Sequence, residues 1–295
     1  MRYGMPYQGS KNAIARDIIN QLPSAPVFID AFAGGCAITH AALEAGRWDK
    51  VIANDISGSA DAFAKVCREG VKFDVLTREQ FEQTDDLIMQ LCYSFANSKD
   101  SYLWARDIEP VKVAASRLVI GETLRERHLA YRALINALAD YLQGLERLQG
   151  LESLEGLERL QGLERLEGLE RLQGLERLQG LEGLQGLQGL ERLETSALDY
   201  TKLEIPDNAV LYCDPPYKST AGYGIDFDFD AFDNWARTQN VPTFISEYRQ
   251  IDGFTVIWQK QKPQLAGNGT QTNHVTELLM VNNRWAHKYG DNTLF

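Results

Sequence analysis

Three short apolar runs in this chain each stop on an acid and a turn, and that arrangement constrains the fold more than any other feature. Val27-Phe28-Ile29 leads into Asp30-Ala31-Phe32-Ala33-Gly34-Gly35, Val51-Ile52-Ala53 into Asn54-Asp55, and Ala209-Val210-Leu211-Tyr212-Cys213 into Asp214-Pro215-Pro216-Tyr217. Short apolar runs bounded by turn signals read as buried strands. Between the first two, Ala37 to Ala45 reads as a helix. Strand, glycine turn, helix, then a strand with a terminal acid is the opening of a doubly wound α/β fold. Ligands of such sheets sit beyond the carboxyl ends of the strands, where all three acids fall.

The rest of the pattern agrees. Thr243-Phe244-Ile245-Ser246, Phe254 to Trp258 and Glu277 to Val281 read as further strands, the last closing the sheet. Ser10 to Leu22 has helical spacing through Ile14, Ile18, Ile19 and Leu22, and Pro23 and Pro26 break it. Residues 58–141 look helical, with candidates at Asp61–Arg68, Arg78–Cys92 and Pro110–Leu142. The cluster Tyr93, Phe95, Lys99, Tyr102, Trp104 and Arg106 reads as helical core with a solvated rim, since aromatics are usually core. Its alternative is a nucleic-acid contact surface.

Residues 142–195 are an internal repeat. Leucine occupies every third position from Leu142 to Leu193, followed always by Glu or Gln and then by Gly or Arg, except at Ser153 and Thr195. An α-helix turns about 100° per residue, so a period of three slips about 60° per triplet and winds the leucines around the cylinder. A strand needs period two. A 3₁₀-helix would align every leucine but is rarely long. So many leucines are too apolar for a solvated linker. An extended threefold or solenoid-like element is therefore expected, ordered, modular and outside the core, its leucines buried against each other or across a homodimer. Arg147, Arg159, Arg165, Arg171, Arg177 and Arg192 read as a salt-bridged solvated face in preference to phosphate contacts.

Composition narrows the partners. The net charge of −11 argues mildly against nucleic acid, but residues 142–195 carry 11 Glu and 6 Arg, and an acidic protein can hold one basic cleft. No run of about 18 apolar residues occurs, so no membrane partner is expected. The first residues lack an apolar signal core, and residence in the cytoplasm is expected. The four cysteines, Cys36, Cys67, Cys92 and Cys213, form no C-x-x-C pair, so no metal site is expected and the thiols should be reduced and buried.

Of the strand-end signals, Phe32-Ala33-Gly34-Gly35 and Asp55 are each weak alone. Asp214-Pro215-Pro216-Tyr217 is more specific, because two prolines fix two φ angles and remove two donors, leaving a stiff turn that presents acceptors. Together these residues resemble the DNA adenine-N6 methyltransferase family of bacteria and phages. Met5-Pro6-Tyr7-Gln8-Gly9-Ser10-Lys11 resembles its N-terminal motif, Phe32-Ala33-Gly34-Gly35 its cofactor motif and Asp55 its acidic residue. Asp199-Tyr200 resembles its Asp-aromatic pair, Asp214 to Tyr217 its catalytic tetrapeptide, and Phe244 to Tyr248 a later strand.

The resemblance covers roughly residues 1–57 and 196–295. It implies a Rossmann-like doubly wound methyltransferase sheet formed by those two segments. The chain departs from the family between them: where a target-recognition domain is expected, it has an inserted helical segment at 58–141, the candidate for that role, and then the leucine-triplet repeat at 142–195. It implies S-adenosyl-L-methionine as cofactor and DNA as partner, in a bacterial or phage-infected cell. Tyr7, Gly9, Ser10, Lys11, Asp30, Phe32, Gly34, Gly35, Asp55, Asp199 and Tyr200 are expected on the cofactor side. Lys11 would meet the cofactor carboxylate, and Asp55 the ribose hydroxyls. Asp214, Pro215, Pro216 and Tyr217 are expected at the reacting amino group, with Tyr217 stacked on the base. A cytosine-N4 or RNA enzyme would use the same pocket, and a non-enzymatic interaction protein built on the repeat is the alternative of another class.

Overall fold

The computed structural model describes residues 3–149, 172–217, 227–265 and 272–289, and the apolar runs lie in one seven-stranded sheet. Its strands are β1 Val27–Asp30, β2 Lys50–Asn54, β3 Leu193–Ser196, β4 Ala209–Cys213, β5 Thr243–Glu247, β6 Phe254–Leu265 and β7 Thr272–Asn282. Their order is β3-β2-β1-β4-β5-β7-β6. The pairs from β3 through β5 are parallel, whereas β7 runs antiparallel to both β5 and β6. The sheet is therefore mixed. Leu265 and Thr272 are too close in sequence for a parallel crossover, which needs a dozen or more residues. The architecture is compatible with the methyltransferase fold that the resemblance implied.

The chain divides into two compact units, one of Met1–Met5, Ser10–Cys67 and Leu187–Phe295, the other of Pro6–Gly9 and Arg68–Gly186. The boundaries differ from the expected 57/58 and 195/196. The helix α3, Ser59–Glu69, continues from β2 and buries Phe63, Ala64, Val66 and Cys67, and the last triplets join the sheet.

In the first unit β1 and β4 are buried along their whole length, which explains their unbroken apolar sequence. Ile29, Leu211, Ile245 and Met280 form a core with Phe232 and Ala236 of a late helix, Phe229–Thr238. Helix α1 is Ala15–Gln21, shorter than the expected Ser10–Leu22, and α2 is Ala37–Ala45. Helix α2 buries every residue from Ala37 to Leu43, hence its small and apolar composition.

The second unit holds α4 Arg78–Gln83, α5 Leu87–Tyr93, α6 Glu109–Ile120, α7 Leu124–Gln149 and α8 Gln173–Glu182. Two expected helices are each broken. Asp86 accepts hydrogen bonds from Ile88 N at 2.9 Å and Met89 N at 3.1 Å, starting α5 afresh, and Gly121 ends α6. The aromatic cluster is core. Tyr93, Tyr102 and Trp104 are buried and meet edge to face, with centroids 5.6 Å apart for Tyr93–Trp104 and 5.7 Å for Tyr102–Trp104, while Phe95 is exposed.

The described triplets do not form the expected threefold element. They end α7, build α8 and supply β3. Leu175, Leu178 and Leu181 are all buried in α8. A slip of about 60° per triplet spreads three leucines over about 120°, which one helix face accommodates. Gly174 is needed there, because a Cβ would lie 2.5 Å from the Tyr93 ring. Arg177 and Arg192 of the repeat bind backbone carbonyls, and Arg192 Nε also lies 3.7 Å from Glu191 Oε1, a salt bridge of the expected kind. Arg177 Nη1 donates to Cys92 O and Ser94 O, both at 2.8 Å. Arg192 donates to Trp48 O at 2.9 Å and to Leu43 O at 2.8 Å, capping the end of α2. Arg159, Arg165 and Arg171, and the side chain of Arg147, lie outside what the structure describes.

Candidate active site

The strand order reverses between β1 and β4, and the crevice at such a point is where open α/β sheets hold ligands. Asp30 ends β1 in register with Tyr212, and Asp214 follows the end of β4. The two acids read from the sequence thus flank one crevice, with Ala31 N donating to Tyr212 O at 2.9 Å beneath them.

On the β2 side, Gly34 has a φ of +50 and its N–H donates to Asp55 Oδ2 at 2.8 Å. Ser57 N donates to Asp55 Oδ1 at 2.9 Å, so both oxygens of this carboxylate are fixed against the glycine turn. Met5 N donates to Gly35 O at 2.7 Å, and a Cβ on Gly4 would stand 2.3 Å from that oxygen, so only glycine fits. Gly4 N donates to His40 Nδ1 at 3.0 Å, and burial lowers the His40 pKa, which keeps this acceptor neutral. Asn54, at the end of β2, holds the strand ends together. Its amide donates to Ala31 O and Leu198 O, both at 3.0 Å, and its carbonyl accepts from Ser196 Oγ at 2.8 Å.

Asp30 is buried. Its Oδ2 accepts from Thr39 Oγ1 at 2.7 Å and Thr39 N at 3.1 Å, and its Oδ1 has no hydrogen-bond partner among the described residues. Burial raises its carboxyl to about 7, opposed by the Thr39 hydrogen bond and assisted by the charges of Asp214 and Asp55.

The densest chemistry surrounds Asp214. Lys11 Nζ lies 2.7 Å from Asp214 Oδ1, 3.7 Å from Glu277 Oε1 and 4.5 Å from the Tyr217 ring centroid. The Tyr217 hydroxyl donates to the same Glu277 Oε1, and its ring meets Tyr248 edge to face at 4.3 Å. Burial raises the Asp214 carboxyl, Lys11 pulls it back, and Glu277 raises it again. Glu247 on β5 is pushed up to about 7 by burial, and its Oε1 accepts from Tyr248 N at 2.7 Å. Pro215 is buried and Pro216 half-buried.

The other expected residues are spread around this crevice's unit or outside it. Phe32 and Tyr200 pack together, centroids 5.4 Å apart, and Asp199 accepts from Thr201 N at 2.9 Å. Ser10 Oγ accepts from Asn12 N at 3.4 Å. Tyr7 and Gly9 fall in the second unit. Lys11 is held by Asp214 and Glu277. Among the described residues no cluster of His, Cys, Asp or Glu is arranged to hold a metal ion.

Residues 7–145 match the sequence model of the D12 class N6 adenine-specific DNA methyltransferase family. Over that span, just under half of its length, the chain is similar to this family. A D12 class enzyme methylates N6 of adenine in DNA, so the crevice is to be judged against that chemistry. The span matched by the D12 model carries Lys11, Asp30, the glycine turn and Asp55, and it stops within the first triplets. Asp214 to Tyr217 lies beyond it. No curated protein matches the chain.

Sequence reasoning missed Glu277, Glu247, Asn54 and His40. Glu277 and Glu247 left a signal, since an acid inside a buried apolar strand needs a partner. Asn54 and His40 left none, because each acts through backbone groups distant in sequence.

Proposed function

We propose that this chain is a D12 class enzyme that binds S-adenosylmethionine beyond the carboxyl ends of β1 and β2 and places adenine N6 against Asp214-Pro215-Pro216-Tyr217. The observation that carries the reading is the buried Lys11–Asp214 pair, 2.7 Å long, beside the strand-order reversal. The fit to the cofactor rests on charge. Asp30 is acted on by both Asp214 and Asp55, so three carboxylates share one neighbourhood that suits a sulfonium cation. The cofactor supplies an already activated methyl group, and the protein has to align and polarise the acceptor.

The exocyclic nitrogen of adenine is a poor nucleophile because its lone pair is delocalised into the ring. Asp214 and the Pro215 carbonyl accept its two N–H groups and localise that lone pair toward the methyl. Lys11 engages Oδ1 of Asp214, which leaves Oδ2 for the amino group. The Tyr217 ring, 8% exposed, walls the pocket and stacks on the base. The base must leave the duplex to arrive there. Asp55 has acceptor capacity left for ribose hydroxyls, because a carboxylate offers about four lone-pair sites. Ser10, Phe32, Gly34, Gly35, Asp199 and Tyr200 complete the cofactor side.

The test is a label. Purified protein is incubated with methyl-labelled cofactor and mixed DNA, which is then digested to nucleosides. Label in N6-methyl-2′-deoxyadenosine is expected. Label only in a cytosine derivative, or none on any DNA, overturns the reading.

A further inference from the structure

The Asp214 cluster contains a carboxylate that the transfer mechanism does not use. Glu277 is fully buried on β7, a strand paired with β5 on one side and β6 on the other. Its Oε1 accepts from the Tyr217 hydroxyl and stands 3.7 Å from Lys11 Nζ. We propose that Glu277 is the positioning residue of the transfer site, one oxygen on a fixed strand orienting both the Tyr217 ring and the Lys11 ammonium that holds Asp214. This rests on the reading of Asp214 as the acceptor of the target amino group.

The argument is geometric. Lysine is a point charge on a flexible four-carbon stem, and paired with Asp214 alone it would hold that carboxylate without directing it. A second anion on a rigid strand fixes where the ammonium sits, and so which oxygen of Asp214 it covers. The same oxygen pins the far end of Tyr217. The ring is thereby fixed at both ends, by its own backbone in the Asp-Pro-Pro-Tyr turn and by β7. Reactions that depend on alignment lose rate steeply when such a group shifts. The charge acts too. Asp214 is faced by Lys11, Glu277 and Tyr217, and Glu247, Tyr212 and Asp30 stand close enough to interact. Of these only Lys11 is a cation, so Glu277 competes with Asp214 for it.

The experiment compares Glu277→Gln, Tyr217→Phe and the double variant in the intact enzyme. Cofactor binding is read by calorimetry, and kcat and KM are measured on adenine-containing DNA across pH. Glu277→Gln should lower kcat by about tenfold or more, with KM and cofactor affinity changed less than about threefold. Its acid limb should move to lower pH, because Lys11 then serves Asp214 alone. The double variant should be little worse than the poorer single, since both remove one contact. A folded Glu277→Gln enzyme with wild-type kcat and an unmoved acid limb overturns the proposal. If that variant does not fold, an undiminished kcat in Tyr217→Phe overturns it. Failure of the underlying reading looks different, because the wild-type protein itself would then put no label on adenine.

Discussion

Lys11 Nζ and Asp214 Oδ1 are 2.7 Å apart although 203 positions separate the two residues in sequence. The pair closes a circuit from the chain's first helix region to the turn after β4. Lys11 is 4% exposed and faces two carboxylates, so removing it leaves buried charge without compensation. Lys11→Met should therefore lose about 3–5 kcal/mol of stability in urea unfolding at neutral pH. The loss should shrink as the pH falls and the carboxylates protonate. A variant as stable as wild type at pH 8 would show that the pair does not persist in solution.

Asp214 and Asp55 should separate by kinetics. Asp214→Ala should abolish turnover and leave cofactor affinity within a few fold by calorimetry, because Asp214 serves the amino group. Asp55→Ala should weaken cofactor binding first, since it frees Gly34 N and Ser57 N and loosens the glycine turn. Near wild-type turnover in Asp214→Ala would refute the assignment.

How much of this was legible in the sequence follows from what each residue does locally. Strands β1, β4 and β5 were readable because they are buried on both faces and bounded by turns, and β2 because its apolar run ends on an acid. Strand β3 was not, because Leu193 to Ser196 continues the triplet register and pairs with β2 only after a long excursion. Asp30, Asp55 and Asp214 announced themselves by ending apolar runs. Glu277 signalled only that an acid in an apolar strand needs a partner, and which partner was hidden, since Tyr217 is met from a strand that enters antiparallel. The period-three argument was sound for a long helix and failed for α8, which contains few enough triplets to keep its leucines on one face.

The glycines of the repeat should respond in opposite ways. In Gly174→Ala the new methyl would meet Tyr93, whose ring is buried and whose hydroxyl donates to Asp74 O at 2.9 Å, so the ring cannot swing clear. A loss of about 1–3 kcal/mol is expected in thermal or urea unfolding. Gly144 lies in α7 with nothing within 4 Å of a Cβ, and Gly144→Ala should gain about 0.5–1 kcal/mol. Equal effects at the two sites would contradict the packing of α8 on α5.

Asp30 should impose a pH dependence of known sign. Its ordinary value is 3.8 and burial raises it to about 7, so between these values the folded state binds more protons than the unfolded one. Its contribution to stability is present below that window and is lost as the pH rises through it. Asp30→Asn should flatten the fall by at most about 1.4 kcal/mol per pH unit. Glu247, raised to about 7, acts in the same direction and keeps some slope. Urea midpoints from pH 4 to 8 read the difference, and an unchanged slope would place Asp30 in water.

Asn54 and Leu198 share a hydrogen bond across 144 positions of sequence. Placing β3 beside β2 therefore means closing a very long loop, and most of that closure entropy is spent whatever the loop contains. The entropy grows only with the logarithm of loop length, about 0.6 kcal/mol for each doubling. One triplet more or less ahead of α8's anchors at Gly174 and Arg177 changes that logarithm by well under about one per cent. The sheet is thus thermodynamically almost blind to how many times the triplet is written, provided that the copies that pack on α5 and the copy that becomes β3 are kept.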